Sequence, residues 1–133
     1  MDLKEQLRSK IDKGCRFFDM EAGIVSRVDG EQYHIVVGIT KLPFFKDGDV
    51  FDLNDTYCRE VVESRETVCF NQVSLVGRMR NHPAYRSVKL ESYIGTPILV
   101  DRSLWGTVNF SSLRARAFEF EHRTTLPRNC ETT

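Results

Sequence analysis

A thiol and a row of small polar residues are the parts of this chain best placed to do chemistry. Cys58 falls in TYCREVV, where a short helix would open, and a thiol in a first helical turn sits near the positive end of the dipole, where thiolate is favoured. Cys69 lies eleven residues further on, beside Val68 and Phe70, so the two would make a redox pair if both faced one interior. The competing reading makes Cys58 a small core residue beside Tyr57 and Val61, because free cysteine is commonly buried. Thr107, Asn109 and Ser111 alternate with Gly106, Val108 and Phe110. On a strand they give one face of small donors and acceptors, suited either to a small ligand or to water. His82, ahead of Pro83, is a ligand contact or an exposed loop histidine.

Other catalytic patterns are missing. Ser74, Ser87 and Ser92 lie outside any GxSxG, the acidic residues form no evident catalytic pair, and there is no GxGxxG, P-loop or HExxH. Cys15, Cys58, Cys69 and Cys130 show no CxxC spacing, and His34, His82 and His122 lie far from them and from each other, so no metal site is expected. The opening MDLKEQLRSKIDKG holds no apolar secretion segment, which makes free thiols and a cytoplasmic location the expectation. No uninterrupted apolar run approaches the roughly 18 residues of a membrane span. The 19 basic and 19 acidic side chains balance, so no overall field draws phosphate backbones or anionic lipid, and neither nucleic acid nor membrane is expected as a partner. At 133 residues, with 41% hydrophobic and 29% charged side chains, the chain suits one globular domain with one core.

The elements that must position these residues follow from periodicity. Leu3, Leu7, Ile11, Cys15 and Phe18 fall on one side of an amphipathic helix that ends near residues 17–19. Residues 23–28 and 32–39 flank Asp29-Gly30, a pair that accepts a two-residue hairpin turn and sets Ile24 and Val28 on one face with Tyr33, Ile35 and Val37. A loop over 41–52 leads to a short helix opening at Asn54 or Asp55, with Tyr57, Cys58, Val61 and Val62 inward. Residues 67–71 read as a strand, 72–80 as an irregular connection, and Pro83 starts a brief helix through Lys89. Residues 90–112 then form the central hairpin, with apolar runs 94–100 and 104–110. Phe44, Phe45, Met79 and Tyr85 stand in long loops and need a surface to cover, which tips the polar face of the hairpin from a wet surface toward a lidded pocket.

Three stretches are specific. GDVFDLNDTYCREVV at 48–62, HPAYRSVKLESYIGTPI at 82–98 and LWGTVNFSS at 104–112 resemble the bacterial signalling branch of the GAF domains, over roughly residues 14–112. The resemblance implies an α+β fold: a five- to six-stranded antiparallel sheet with terminal helices on one face and a loop-and-helix lid over a small-molecule pocket on the other. It also implies a sensory role beside a histidine kinase or diguanylate cyclase output domain, with a homodimer through terminal helices. A covalently attached bilin is not implied, since no cysteine stands between Cys69 and Cys130. The free methionine sulfoxide reductases of the family need cysteines in that region too, and Cys58 alone resembles one of theirs. The second hairpin of this branch turns through Asp-Gly, whereas here it reads Asp101-Arg102, so a turn of another type is expected. The closing helix is poorly formed after Phe118.

These readings predict one domain over 1–118 with a poorly structured tail over 119–133. The predicted activity is non-catalytic sensing of an unidentified small molecule, lined by Tyr57, Cys58, Tyr93, Thr107 and Asn109, with no cofactor named. A thiol-based redox sensor or sulfoxide-reductase-like enzyme using Cys58 is the alternative, and a structural dimerisation module with a filled pocket is a third.

Overall fold

The computed structural model describes residues 2–41, 43–116 and, as backbone only, 129–131. The carboxylate of Asp2 accepts from the Glu5 N–H at 2.8 Å, and α1 (Leu3–Phe18) runs from that cap to Asp19, whose left-handed conformation at φ 54° closes it. Ile11 and Cys15 are its buried residues, while Leu3, the first member of the expected stripe, is exposed. The helix lies so close to the sheet that a Cβ on Gly14 would run into the Phe110 ring.

β1 (Ala22–Asp29) and β2 (Gln32–Thr40) form the expected hairpin, but its two turn residues are Gly30 and Glu31, one position later than the Asp29-Gly30 pair. Tyr33 stands opposite Val28 and Ile35 opposite Ser26. The register then shifts between Val25 and Ser26, which sets Val37 opposite Val25. Val25 packs toward α1, so Val37 does not share the face of Ile24, Tyr33 and Ile35; one extra residue reverses the alternation.

β3 (Val50–Asp52) borders β2, and a 3-10 turn over Leu53–Asp55 leads into α2 (Cys58–Ser64). β4 (Val68–Phe70) follows, then 3-10 turns at Val73–Leu75 and Gly77–Met79. α3 (Pro83–Val88) opens on Pro83, with His82 Nδ1 accepting from the Ala84 N–H at 3.1 Å. β5 (Ser92–Val100) and β6 (Ser103–Ser112) make the central hairpin, and β6 sits mid-sheet between β1 and β5. Its turn is of the primed type after all: Asp101 and Arg102 stand at φ 51° and 69°, because only that twist matches the flanking strands. Pro97 lies beyond the reach of β4, which pairs only with residues 93–95, so its missing N–H interrupts no ladder on that side.

The sheet order is β3-β2-β1-β6-β5-β4 with β7 (Asn129–Glu131) outermost. The first six strands are antiparallel, as expected of the α+β fold; β7 runs parallel to β4 with Cys130 opposite Cys69. The closing helix and most of the expected tail from residue 119 lie outside the described residues.

Two cores result. On one face α1 packs on Val25, Val108 and Phe110, with Met20, Cys69 and Ile94 alongside. The other face gathers Ile24, Tyr33, Ile35 and Tyr93 under Leu53, Tyr57, Val61, Val73, Val76 and Met79. Among the described residues no helix is long and apolar enough to cross a membrane.

Candidate functional site

Strand alternation turns Val108 and Phe110 toward α1 and leaves Thr107, Asn109 and Ser111 on the opposite face, where all three are buried. Neighbouring strands add Ser26 from β1, Tyr33 from β2 and Tyr93 from β5. The Tyr93 ring lies forward along its own strand over Gly95, where a Cβ would collide with the phenol, and its hydroxyl meets Cys58 of α2. Cys58, the first residue of α2, comes down on Tyr33, Tyr93, Thr107 and Asn109.

The result is a hydrogen-bonded cluster around one sulfur. Cys58 Sγ lies 3.1 Å from the Tyr93 hydroxyl; it accepts from Thr107 Oγ1 at 3.3 Å and Asn109 Nδ2 at 3.2 Å, and donates to the Tyr33 hydroxyl at 3.6 Å. Asn109 Nδ2 also donates to the Tyr33 hydroxyl at 2.9 Å, and Ser26 Oγ is 2.7 Å from Thr107 Oγ1. Burial pushes the Cys58 thiol above its ordinary value, although the hydrogen bonds it shares with Thr107, Tyr93 and Tyr33 act the other way. Burial likewise raises both phenols, with the neighbouring sulfur adding to it. The cluster is therefore uncharged at neutral pH, and every member has a partner.

Beside this cluster opens a cavity of about 430 Å³. Its sheet-side wall comes from Ile24, Tyr33, Ile35, Tyr93 and Asn109. The opposite wall comes from Phe44 and Phe45 of the β2–β3 loop, Phe51, the segment from Asp55 to Cys58, and α3 with Leu90. Phe45 sits against Gly38, and Met79 is buried in the core beneath, so these apolar residues do cover a surface. Tyr57 donates to the Leu90 carbonyl at 2.8 Å and packs edge-on against Tyr93, ring centroids 5.5 Å apart. The His82 ring packs against Tyr57 at a tilt of 54°, centroids 5.0 Å apart, and does not border the cavity; burial holds its imidazole below the ordinary value of 6.5.

Of the five residues expected from sequence, Tyr57, Cys58, Tyr93 and Asn109 border the cavity, whereas Thr107 is fully buried behind them. Tyr33 and Ser26 were not anticipated as site residues. The alternation had placed Tyr33 on the correct face, but nothing local showed its hydroxyl reaching across two strands.

The expected pairing of Cys58 with Cys69 is corrected. Cys69 packs with Met20 and Ile94 on the α1 side of the sheet, the face opposite Cys58, and it is disulfide-bonded, which also overturns the expectation of free thiols throughout. Cys15 and Cys58 remain free. The dipole argument fails as well: α2 has only seven residues, and desolvation of the sulfur outweighs its end field. No metal-holding group of His, Cys, Asp and Glu exists among the described residues.

The family model for the GAF domain matches residues 2–128. Among solved structures the chain is similar to the chromophore-binding domain of phytochrome P1 from Stigmatella aurantiaca, with 15% identity and a TM-score of 0.70 over 93% of this chain and 50% of that one. It is similar also to the GAF domain of the Acinetobacter phosphoenolpyruvate-protein phosphotransferase, at 14% identity and TM-score 0.70 over 90% and 71%. A third likeness is the type II free methionine-R-sulfoxide reductase of Thermoplasma acidophilum, at 18% and 0.64 over 95% and 87%. Such identities carry the fold alone. The chain spans half the length of the phytochrome chain it matches. No curated protein matches it.

Proposed function

Because this chain belongs to the GAF domain family, we propose that it is a non-catalytic regulatory domain whose small-molecule ligand fills the cavity between the sheet and the Phe44–Phe45 loop. The cavity itself carries this reading: about 430 Å³ falls within the size of ordinary ligand sites, and its walls are apolar with a few placed polar groups. Tyr57, Cys58, Tyr93 and Asn109 contact the ligand, and Thr107 supports Cys58 and Asn109 from behind. Their role is shape and polarity, not bond making.

A thiol enzyme is the weaker reading, although a reductase shares the fold. Cys58 is 2% exposed, its thiol is held protonated, and among the described residues no second free cysteine stands on its face of the sheet. Attack requires thiolate, and burial of the sulfur withholds it.

The loop that covers the cavity also reaches α1. Asp47 accepts from the Gly38 N–H at 2.8 Å and pairs with Arg8 and with Lys4 Nζ at 3.4 Å, so the segment carrying Phe44 and Phe45 is tied to the helix on the other face. A ligand that favours the closed loop thereby biases α1, which passes the change to a second copy or to a kinase or cyclase output domain.

A thermal-shift screen over small metabolites tests this. At least one compound is expected to raise the melting midpoint, since ligand at a hundredfold its Kd adds about 2.7 kcal/mol of stability. Ala84→Leu, which adds volume to the α3 wall, should abolish the shift while the free protein still melts cooperatively. If no compound moves the midpoint, the sensing reading falls and a structural module takes its place.

A further inference from the structure

We propose that the ligand is a small aryl-alkyl amine, its ring packed within the cavity and its ammonium held at the mouth by Asp55; the proposal rests on the reading that this cavity binds a small molecule. Among the described residues that border the cavity, Asp55 is the single charged side chain, and no lysine, arginine or histidine joins it. His82, behind Tyr57, has its imidazole lowered by burial, although the Glu60 and Asp55 carboxylates act the other way, and it does not border the cavity.

The polar groups of the inner wall carry no positive charge. The Tyr33 hydroxyl, Asn109 Nδ2 and the Cys58 thiol are bonded to one another, and the Tyr57 hydroxyl is committed to the Leu90 carbonyl. A carboxylate or phosphate entering here loses its hydration and meets no cationic side chain among the described residues that border the cavity. A cation finds the reverse. Asp55 is exposed and, among the described residues, has none of the ion-pair partners that hold Asp47, Glu31 or Glu60. The same cavity is lined by Phe44 and Phe51, 39% and 38% exposed, and by the half-buried Phe45. Aromatic rings and a carboxylate lining one cavity suit an ammonium group, and the apolar wall suits the ring attached to it.

Two matched sets of probes separate charge from shape: 2-phenylethylamine, 2-phenylethanol and phenylacetate, and the larger tryptamine, tryptophol and indole-3-acetate. Titration calorimetry with the whole chain at pH 7 is expected to rank amine above alcohol above carboxylate in at least one set. The amine should bind about fivefold tighter than the alcohol, the size of one partly exposed ion pair. Asp55→Asn should bring the amine down to the alcohol's affinity and leave the alcohol unchanged, while Asp55→Glu restores the preference. An alcohol that binds as tightly as its amine, or an amine preference that survives Asp55→Asn, overturns the proposal while leaving the small-molecule pocket standing. A carboxylate that binds tightest overturns it too. If none of the six binds, the amine proposal falls, and the wider screen with Ala84→Leu decides the pocket separately.

Discussion

At the scale of single residues, Cys58 shows how environment overrides type. Its position at a helix start favours thiolate, yet the sulfur is desolvated and surrounded by neutral hydroxyls and an amide, so the thiol form wins. Cys15, buried under α1, is pushed up to about 11 by desolvation, with Asp12 and Glu21 adding to it. Both thiols should therefore resist a maleimide dye at pH 8 in the folded protein and react at once in denaturant; rapid native labelling mapped to Cys58 would bring the thiol enzyme back. The sign of the linkage follows. A thiol whose folded value lies above the unfolded 9.0 contributes its full stability below pH 9 and loses it as pH rises through the folded value. Strand alternation made the grouping of Asn109 with Thr107 legible in the sequence. Tyr33 and Ser26 escaped notice because partners across strands depend on a register that no local pattern sets.

At the scale of elements, the central hairpin illustrates the demand of sheet twist on a turn. Asp101 and Arg102 both take positive φ because a two-residue connection between right-twisted strands needs it. For arginine the left-handed region costs on the order of 1 kcal/mol, partly offset in glycine by its greater freedom when unfolded. Arg102→Gly is expected to raise stability by about 0.5–1 kcal/mol, and Arg102→Val to lower it by at least as much, read from the urea midpoint at unchanged slope. An arginine that prefers its present conformation would show the opposite order. The first hairpin carries a related lesson. Its strands were legible as apolar alternation, but the bulge at Val25/Ser26 was not, since an inserted residue leaves composition unaltered and reveals itself only in which side chains meet.

At the scale of the whole molecule, Asp47 joins what the sheet separates. Burial by itself would raise its carboxyl, but the Gly38 N–H, Arg8 and Lys4 together hold it below the ordinary 3.8. Its contribution is thus complete above about pH 4 and fades as pH falls through the depressed folded value. Asp47→Asn should flatten this acid limb of stability and speed hydrogen exchange at the Gly38 amide, and unchanged exchange there would mean that the loop and α1 are not coupled through this carboxylate. The sequence by itself determined the α+β class, the order of helices and strands and the polar stripe of β6, because these follow from local period, turn chemistry and recognisable stretches. Only the tertiary structure decided that the stripe closes over one buried sulfur, that Cys69 faces the other side, and that a cavity remains whose single charged lining residue, among the described residues, is Asp55. Those outcomes depend on register and on packing between segments far apart in the chain, where a shift of a single residue exchanges one face of the sheet for the other.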